Sequence, residues 1–326
     1  ERAVQFPSPR QDLEGLAWQC PPHAARIFSP IGWLPFSVAY AVWCAAGLAV
    51  FAYALWSVGL RDRLLVIALA SIPVLLTLKT GQNALFMGAL LLIAVFNARS
   101  NPIVAGIAAA LLTTKPQLGL LLPVFFIAAG HWRALIYASL GSVAAIAASI
   151  GIVGVETWIR FFEAVTSVSG AVATGDMPVY KMVNVYAAAQ LLGVPDMLAL
   201  SLAAGGIMIA TGILTWVSRA SDDPNWHYAA LAVLTLIAAP YSYYYELVLV
   251  VPALIFVLQR GYAAGWLRFE RESVSLIVLL TLVVPGLPIR SGVSINFLLM
   301  ALITFVVLRR LKAELALAPA ATLQPA

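Results

Sequence analysis

Charge is scarce in this chain. Only 10% of its 326 residues are Asp, Glu, Lys or Arg, 62% are hydrophobic, and the mean hydropathy is +0.95. Soluble domains average about 25% charged residues, and a chain of this length could not keep so much apolar surface from water. A soluble globular protein is excluded. Cysteine is nearly absent as well. Cys20 lies in a polar segment and Cys44 within an apolar run, so no disulfide framework is expected. His23, His131 and His227 show no metal-ligand spacing, and neither a metal nor a cofactor is expected. No Gly-rich nucleotide loop is present. The chain opens on Glu1 with neither Met nor a charged-then-apolar leader, which reads as the start of a fragment.

What the chain has in abundance is long apolar runs. They are continuous rather than alternating, which favours helices over an outer-membrane barrel. About eleven crossings are expected, near 31–57, 64–78, 82–98, 102–114, 118–130, 134–154, 197–217, 227–239, 247–258, 274–288 and 293–308. Several are shorter than the ~20 residues a lone span needs. Those are tilted, extended by polar ends, or paired into one hairpin or kinked helix. The expected fold is all-α: a polytopic transmembrane helical bundle with about eleven membrane segments and one large extracytoplasmic loop. Residues 1–30 read as an extracytoplasmic segment, 31–312 as the membrane domain including an outer loop at 155–196, and 313–326 as a disordered cytoplasmic tail.

The basic residues orient this set. Alternate loops hold Arg61, Arg63, Arg99, Arg133, Arg219, Arg260, Arg268, Arg271, Arg309, Arg310 and Lys312. With them are Asp62, Asp222, Asp223, Glu270, Glu272 and Glu314, so these loops carry the whole net charge of +5, and the other face is neutral. By the positive-inside rule the charged face is cytoplasmic. The excess is a matter of orientation and requires no nucleic acid. The expected location is the plasma (inner) membrane, multi-pass, with a cytoplasmic C-terminus.

Every unusual polar feature then falls on the extracytoplasmic side. The outer loop carries helical spacing over Glu156–Val168 and Lys181–Leu192, which suits amphipathic surface helices. Gly170, Gly175 and Pro178 between them suggest a hinge, and Asp176 and Lys181 are further loop charges. Two apolar runs are broken by a lysine and a glutamine, at LLTLKTGQNALF (75–86) and LLTTKPQLGLLLP (111–123). A lysine at the centre of a membrane helix costs about 2.5–3.5 kcal/mol, so such breaks mark interfaces or wet cavities.

Pro116 removes a backbone donor and favours an extended Lys115, which leaves an ammonium and the Gln117 amide at a helix start. That arrangement suits a phosphate or a sugar hydroxyl; a lysine reaching to the interface beside a helix-starting proline would give the same pattern. Gly81-Gln82-Asn83 offers a turn glycine and two amides, fit for carbohydrate or for a plain helix cap, with Lys79 as a second phosphate contact or an interfacial anchor. In Pro240-Tyr-Ser-Tyr-Tyr-Tyr-Glu246, Tyr241 and Tyr243 fit an aromatic belt, while Glu246 opens an apolar run and is a functional candidate. Asp12 and Glu14 are the only acids between Glu1 and the first crossing, as a general base or as solvated loop carboxylates.

The segment GQNALFMGALLLIAVFNARSNPIVAGIAAALLTTKPQLGLLLPVFFIAAGHWRAL (81–135) closely resembles glycosyltransferase family 87, integral-membrane enzymes of the GT-C type. Pro21-Pro22 before SPIGWLPFSVAYAVW, KMVNVYAAAQLLG (181–193) and PYSYYYELVLVVP (240–252) agree in order, with Tyr245-Glu246 where the family usually has Tyr-Asp. The resemblance implies an inverting, general-base transfer on the outer face. A hexosyl unit, mannosyl by family weight, passes from a polyprenyl-phosphate sugar to a lipid or glycan acceptor. The lipid-linked donor is a substrate, so no cofactor is implied, and membrane lipids are the other partners. It further implies a base in the first outer loop, for which Asp12 and Glu14 are the substitutes in this chain, the family's own position lying before Glu1. Lys79, Gln82, Asn83, Lys115, Gln117, Tyr245 and Glu246 are the implied substrate contacts. A secondary transporter or lipid-linked-sugar flippase is the rival reading, because broken helices with charges at the breaks also mark transport sites.

Overall fold

A computed structural model describes residues 20–163, 179–283 and 295–317. Each of the eleven apolar runs holds helix. In chain order the helices are α1 (Pro22–Phe28), α2 (Phe36–Ser57), α3 (Asp62–Leu69), α4 (Ile72–Thr80), α5 (Ala84–Asn97), α6 (Pro102–Leu112), α7 (Leu122–Ala128) and α8 (Trp132–Val153). They continue as α9 (155–163), α10 (Val185–Leu191), α11 (Asp196–Ala220), α12 (Pro224–Ala238), α13 (Val251–Ala264), α14 (Glu270–Val283) and α15 (Ile295–Leu317). Short 3₁₀ turns stand at Ser29–Trp33, Pro116–Leu118, Val179–Lys181 and Tyr244–Val250, the last running straight into α13.

The protein is an all-α membrane protein. By length and composition α2, α8, α11 and the continuous Tyr244–Ala264 helix can each cross a membrane, and α3 with α4 makes a fifth candidate bent by 45°. α5, α6, α7 and α12 are shorter helices, and α15, although 23 residues long, carries Arg309, Arg310 and Lys312 and is not among these candidates, so eleven helical runs do not translate into eleven full spans. Two boundaries differ from the sequence reading. α1 and the first 3₁₀ turn occupy part of the expected outer segment, and α15 continues to Leu317, past the expected start of the tail at 313. The stretch 155–196, read from sequence as an outer loop, carries α9 and α10 as the helical spacing predicts; Gly170, Gly175, Asp176 and Pro178 lie outside the described residues.

α12 is buried all round, from Trp226 to Leu236, as a helix apolar on every face should be. It packs against α5, α11, α13 and α15 and forms the axis of the bundle. By contrast α8 and α11 turn Leu140, Val143, Ile152, Met208 and Ile209 outward, a lipid-facing surface. α6 and α8 approach closely because two glycines allow it. A Cβ on Gly106 would stand 2.3 Å from Tyr137 Cβ, and one on Gly141 2.8 Å from Ala110 Cβ.

The bundle has two polar ends. At one, Asp223 caps α12 and takes the Arg260 guanidinium at 2.5 Å, while Trp226 Nε1 donates to Glu314 at 3.0 Å. Arg310 pairs with Glu270 in the same region, and Arg309 donates to the Arg268 carbonyl. The other end gathers α1, the two lysine breaks, the 180–184 segment and the Pro240–Glu246 turn. These are the two charge classes that the loop pattern separates.

Candidate active site

Lys115 sits where the sequence predicts a break. α6 ends at Leu112, Lys115 leaves the helical region at φ −141°, ψ 73°, and Pro116 starts a 3₁₀ turn. The ammonium is buried, and its Nζ stands 2.5 Å from Glu246 Oε1 and donates to Asn83 Oδ1 at 3.3 Å. It also lies 5.3 Å from the centre of the Tyr245 ring, within cation–π range. Four of the candidate residues, drawn from three separate stretches of sequence, are thus in one cluster.

Each of these side chains is placed by its local backbone. Gly81 adopts φ +64°, ψ 22° and turns the chain from α4 into α5, leaving Asn83 at the α5 N-terminus. A non-glycine residue there would be strained. α2 pins this turn: Tyr40 Oη donates to Leu78 O at 2.5 Å and Trp43 Nε1 to Gly81 O at 3.0 Å. Glu246 is fully buried, and its Oε2 accepts the Tyr243 N–H at 2.9 Å. One carboxylate oxygen therefore caps the 3₁₀ turn while the other meets Lys115. Thr77 Oγ1 donates to Tyr245 O at 2.8 Å, tying α4 to the same turn.

The 180–184 segment supports this turn from outside. Met182 and Tyr243 form an antiparallel bridge, and Val183 N donates to Ser242 O at 2.9 Å. Asn184 works in both directions: its Oδ1 caps α10 at Ala187 N, and its Nδ2 donates to Pro240 O at 2.9 Å. Burial together with Glu246 and Tyr241 pushes the Tyr243 hydroxyl up to about 12, so it stays protonated.

The other candidates fall apart. Lys79 is exposed on the last turn of α4, and Gln82 and Gln117 are half-buried with no side-chain hydrogen bond among the described residues. Asp12 and Glu14 lie outside the described residues. Two neighbours were missed by sequence reasoning. Burial pushes the Cys20 thiol up, opposed by the Lys115 ammonium and reinforced by Glu246, which puts Cys20 within electrostatic range of the pair. His23 Nε2 shares a hydrogen bond with Thr113 Oγ1 at 3.1 Å and stacks on Trp158, docking α1 onto the end of α6 and onto α9. Neither residue type carries a spacing signal. Of their neighbours, only Pro21-Pro22 was singled out in the sequence, as part of the family resemblance.

The arrangement offers a buried cation beside a carboxylate, an amide and a phenol ring, at a turn-rich end of the bundle. Such a set can hold an anionic leaving group and neighbouring hydroxyls. No curated protein and no solved structure matches the chain. The model of glycosyltransferase family 87 matches residues 18–240, spanning both lysine breaks and stopping short of Tyr245 and Glu246. With that match over more than half of its length, the chain belongs to glycosyltransferase family 87 and is a membrane glycosyltransferase.

Proposed function

We propose that this enzyme moves a hexosyl unit, mannose by preference, from a polyprenyl-phosphate sugar to a lipid or glycan acceptor on the extracytoplasmic face, with inversion. The buried Lys115–Glu246 contact at the α6 break carries this reading. The acceptor oxygen bonds to the anomeric carbon as the bond from that carbon to the phosphate oxygen breaks. The phosphate leaves with the electron pair, and the acceptor proton passes to a carboxylate of the N-terminal segment, where Asp12 and Glu14 are the available acids. Lys115 meets the charge that grows on the departing phosphate. Glu246, with one oxygen held by the Tyr243 N–H, positions the ammonium before the donor arrives. Asn83 and Tyr245 flank it on the sugar side. Positive loops gathered at the opposite end support the outer placement.

The test is transfer itself. The protein in bilayers, supplied with labelled polyprenyl-phosphate mannose and a lipid extract, is expected to form a labelled product of inverted configuration. Transfer from a nucleotide sugar with none from the lipid-linked donor would overturn the assignment.

A further inference from the structure

An apolar groove of about 660 Å³ runs between α11 and α15 over α12. Gly206 stands on one wall, Ala301 and Phe305 on the other, and Leu234 on the floor. Arg309 and Lys312 close one end. Arg309 donates from Nη1 to the Arg268 carbonyl at 2.6 Å, yet neither Arg309 nor Lys312 has a carboxylate partner among the described residues. Two acids of this end are engaged elsewhere, Glu270 by Arg310 and Glu314 by Trp226 and Arg260.

From Ala301 to Lys312 the groove follows α15 for about 17 Å, close to the ~15 Å depth of one bilayer leaflet. Its charged end lies away from the candidate active site. Asn296, at the start of α15, donates to Tyr180 O beside the Met182–Tyr243 bridge, and Arg309 is about 20 Å further along the helix. A lipid phosphate at Arg309 and Lys312 therefore belongs to the leaflet opposite the Lys115 cluster.

We propose that this groove binds an anionic glycerophospholipid of the cytoplasmic leaflet, with one acyl chain between α11 and α15 and its phosphate on Arg309 and Lys312. Small residues on α11 leave room for the chain, and two cations without a carboxylate supply charge complementarity that a zwitterionic lipid does not satisfy.

Native mass spectrometry of the full chain with phosphatidylglycerol or phosphatidylcholine of the same acyl composition tests this. Phosphatidylglycerol is expected to be retained about tenfold or more over phosphatidylcholine. R309A/K312A should erase that preference. Ala301→Trp should lower retention of phosphatidylglycerol with both cations in place. R61A/R63A, which removes two cations of the same face outside the groove, should leave the preference intact. Equal retention of both lipids by the unaltered chain, or an equal loss in R61A/R63A, would overturn the proposal. Thermal unfolding in the same detergent confirms that each variant is folded.

Discussion

Arg310 and Lys115 are both buried cations facing a buried carboxylate, yet the two pairs are finished differently. Arg310 engages Glu270 through Nε and Nη2, donates also to Gly265 O at 2.9 Å, and Glu270 Oε2 in turn accepts the Leu267 N–H. Both carboxylate oxygens of that pair and two nitrogens of its guanidinium have partners from the protein. Lys115 has one carboxylate oxygen, one amide at a long 3.3 Å and the face of a ring. A guanidinium fork suits a closed clamp, whereas an ammonium is a point charge that can exchange partners. On the proposed function, the difference separates a pair that holds helices together from one whose cation is released to a ligand.

Removing both charges of each pair breaks the comparison most sharply. A buried ion pair replaced by apolar residues of similar volume is often neutral for stability. K115M/E246L is expected to stay folded and lose transfer by about 10²–10³-fold or more, the scale of losing one stabilising donor. R310M/E270L is expected to stay folded and keep transfer within about twofold. Equal activity of the two variants in the mannosyl-transfer assay would remove the functional distinction. Single changes read stability instead. Arg310→Ala strands Glu270 and should cost about 3–5 kcal/mol, visible as a large fall in the thermal midpoint, with the remaining folded protein still active.

Much of this contrast is legible in sequence, and the rest is not for physical reasons. The Lys115 break follows from Pro116, because the residue before proline avoids the helical region. The Gly81 turn follows from glycine's access to positive φ. Apolar runs mark the helices, but run length does not say which of them cross a membrane, and α3 with α4 shows one run folding as a bent pair. That Glu246 faces Lys115 could not be read, since 131 positions separate them and only tertiary packing closes that distance. Nor could the closed character of the Arg310 clamp, because its backbone partners Gly265 and Leu267 have no side-chain signature.

Smaller effects sharpen the Lys115 side. Asn83→Ala removes one hydrogen bond to the ammonium and should lower transfer about tenfold, with the thermal midpoint nearly unchanged. His23 tests the docking of α1. Burial holds its imidazole below the usual value, so the folded state binds fewer protons than the unfolded one. Its contribution is complete above about pH 6.5 and is lost as pH falls below that. Transfer and the thermal midpoint should both decline from pH 7 toward pH 5, and His23→Gln should flatten that part of the profile. An unchanged acid limb in the variant would assign the decline to another group.

The smallest effect is expected at Lys79, the other lysine of the two breaks. Thr77 and Lys79 are two residues apart on α4, about 200° around the helix. Thr77 faces the site, where its hydroxyl reaches Tyr245 O, and Lys79 is exposed on the far side. A phosphate held at Lys115 is therefore out of its reach without unwinding the last turn of α4, which Tyr40 and Trp43 hold in place. Lys79→Ala should leave transfer within about twofold of the unaltered enzyme, the range of an exposed surface substitution. A tenfold loss with the fold intact would bring Lys79 into the site and show that the α4 end rearranges when the donor binds.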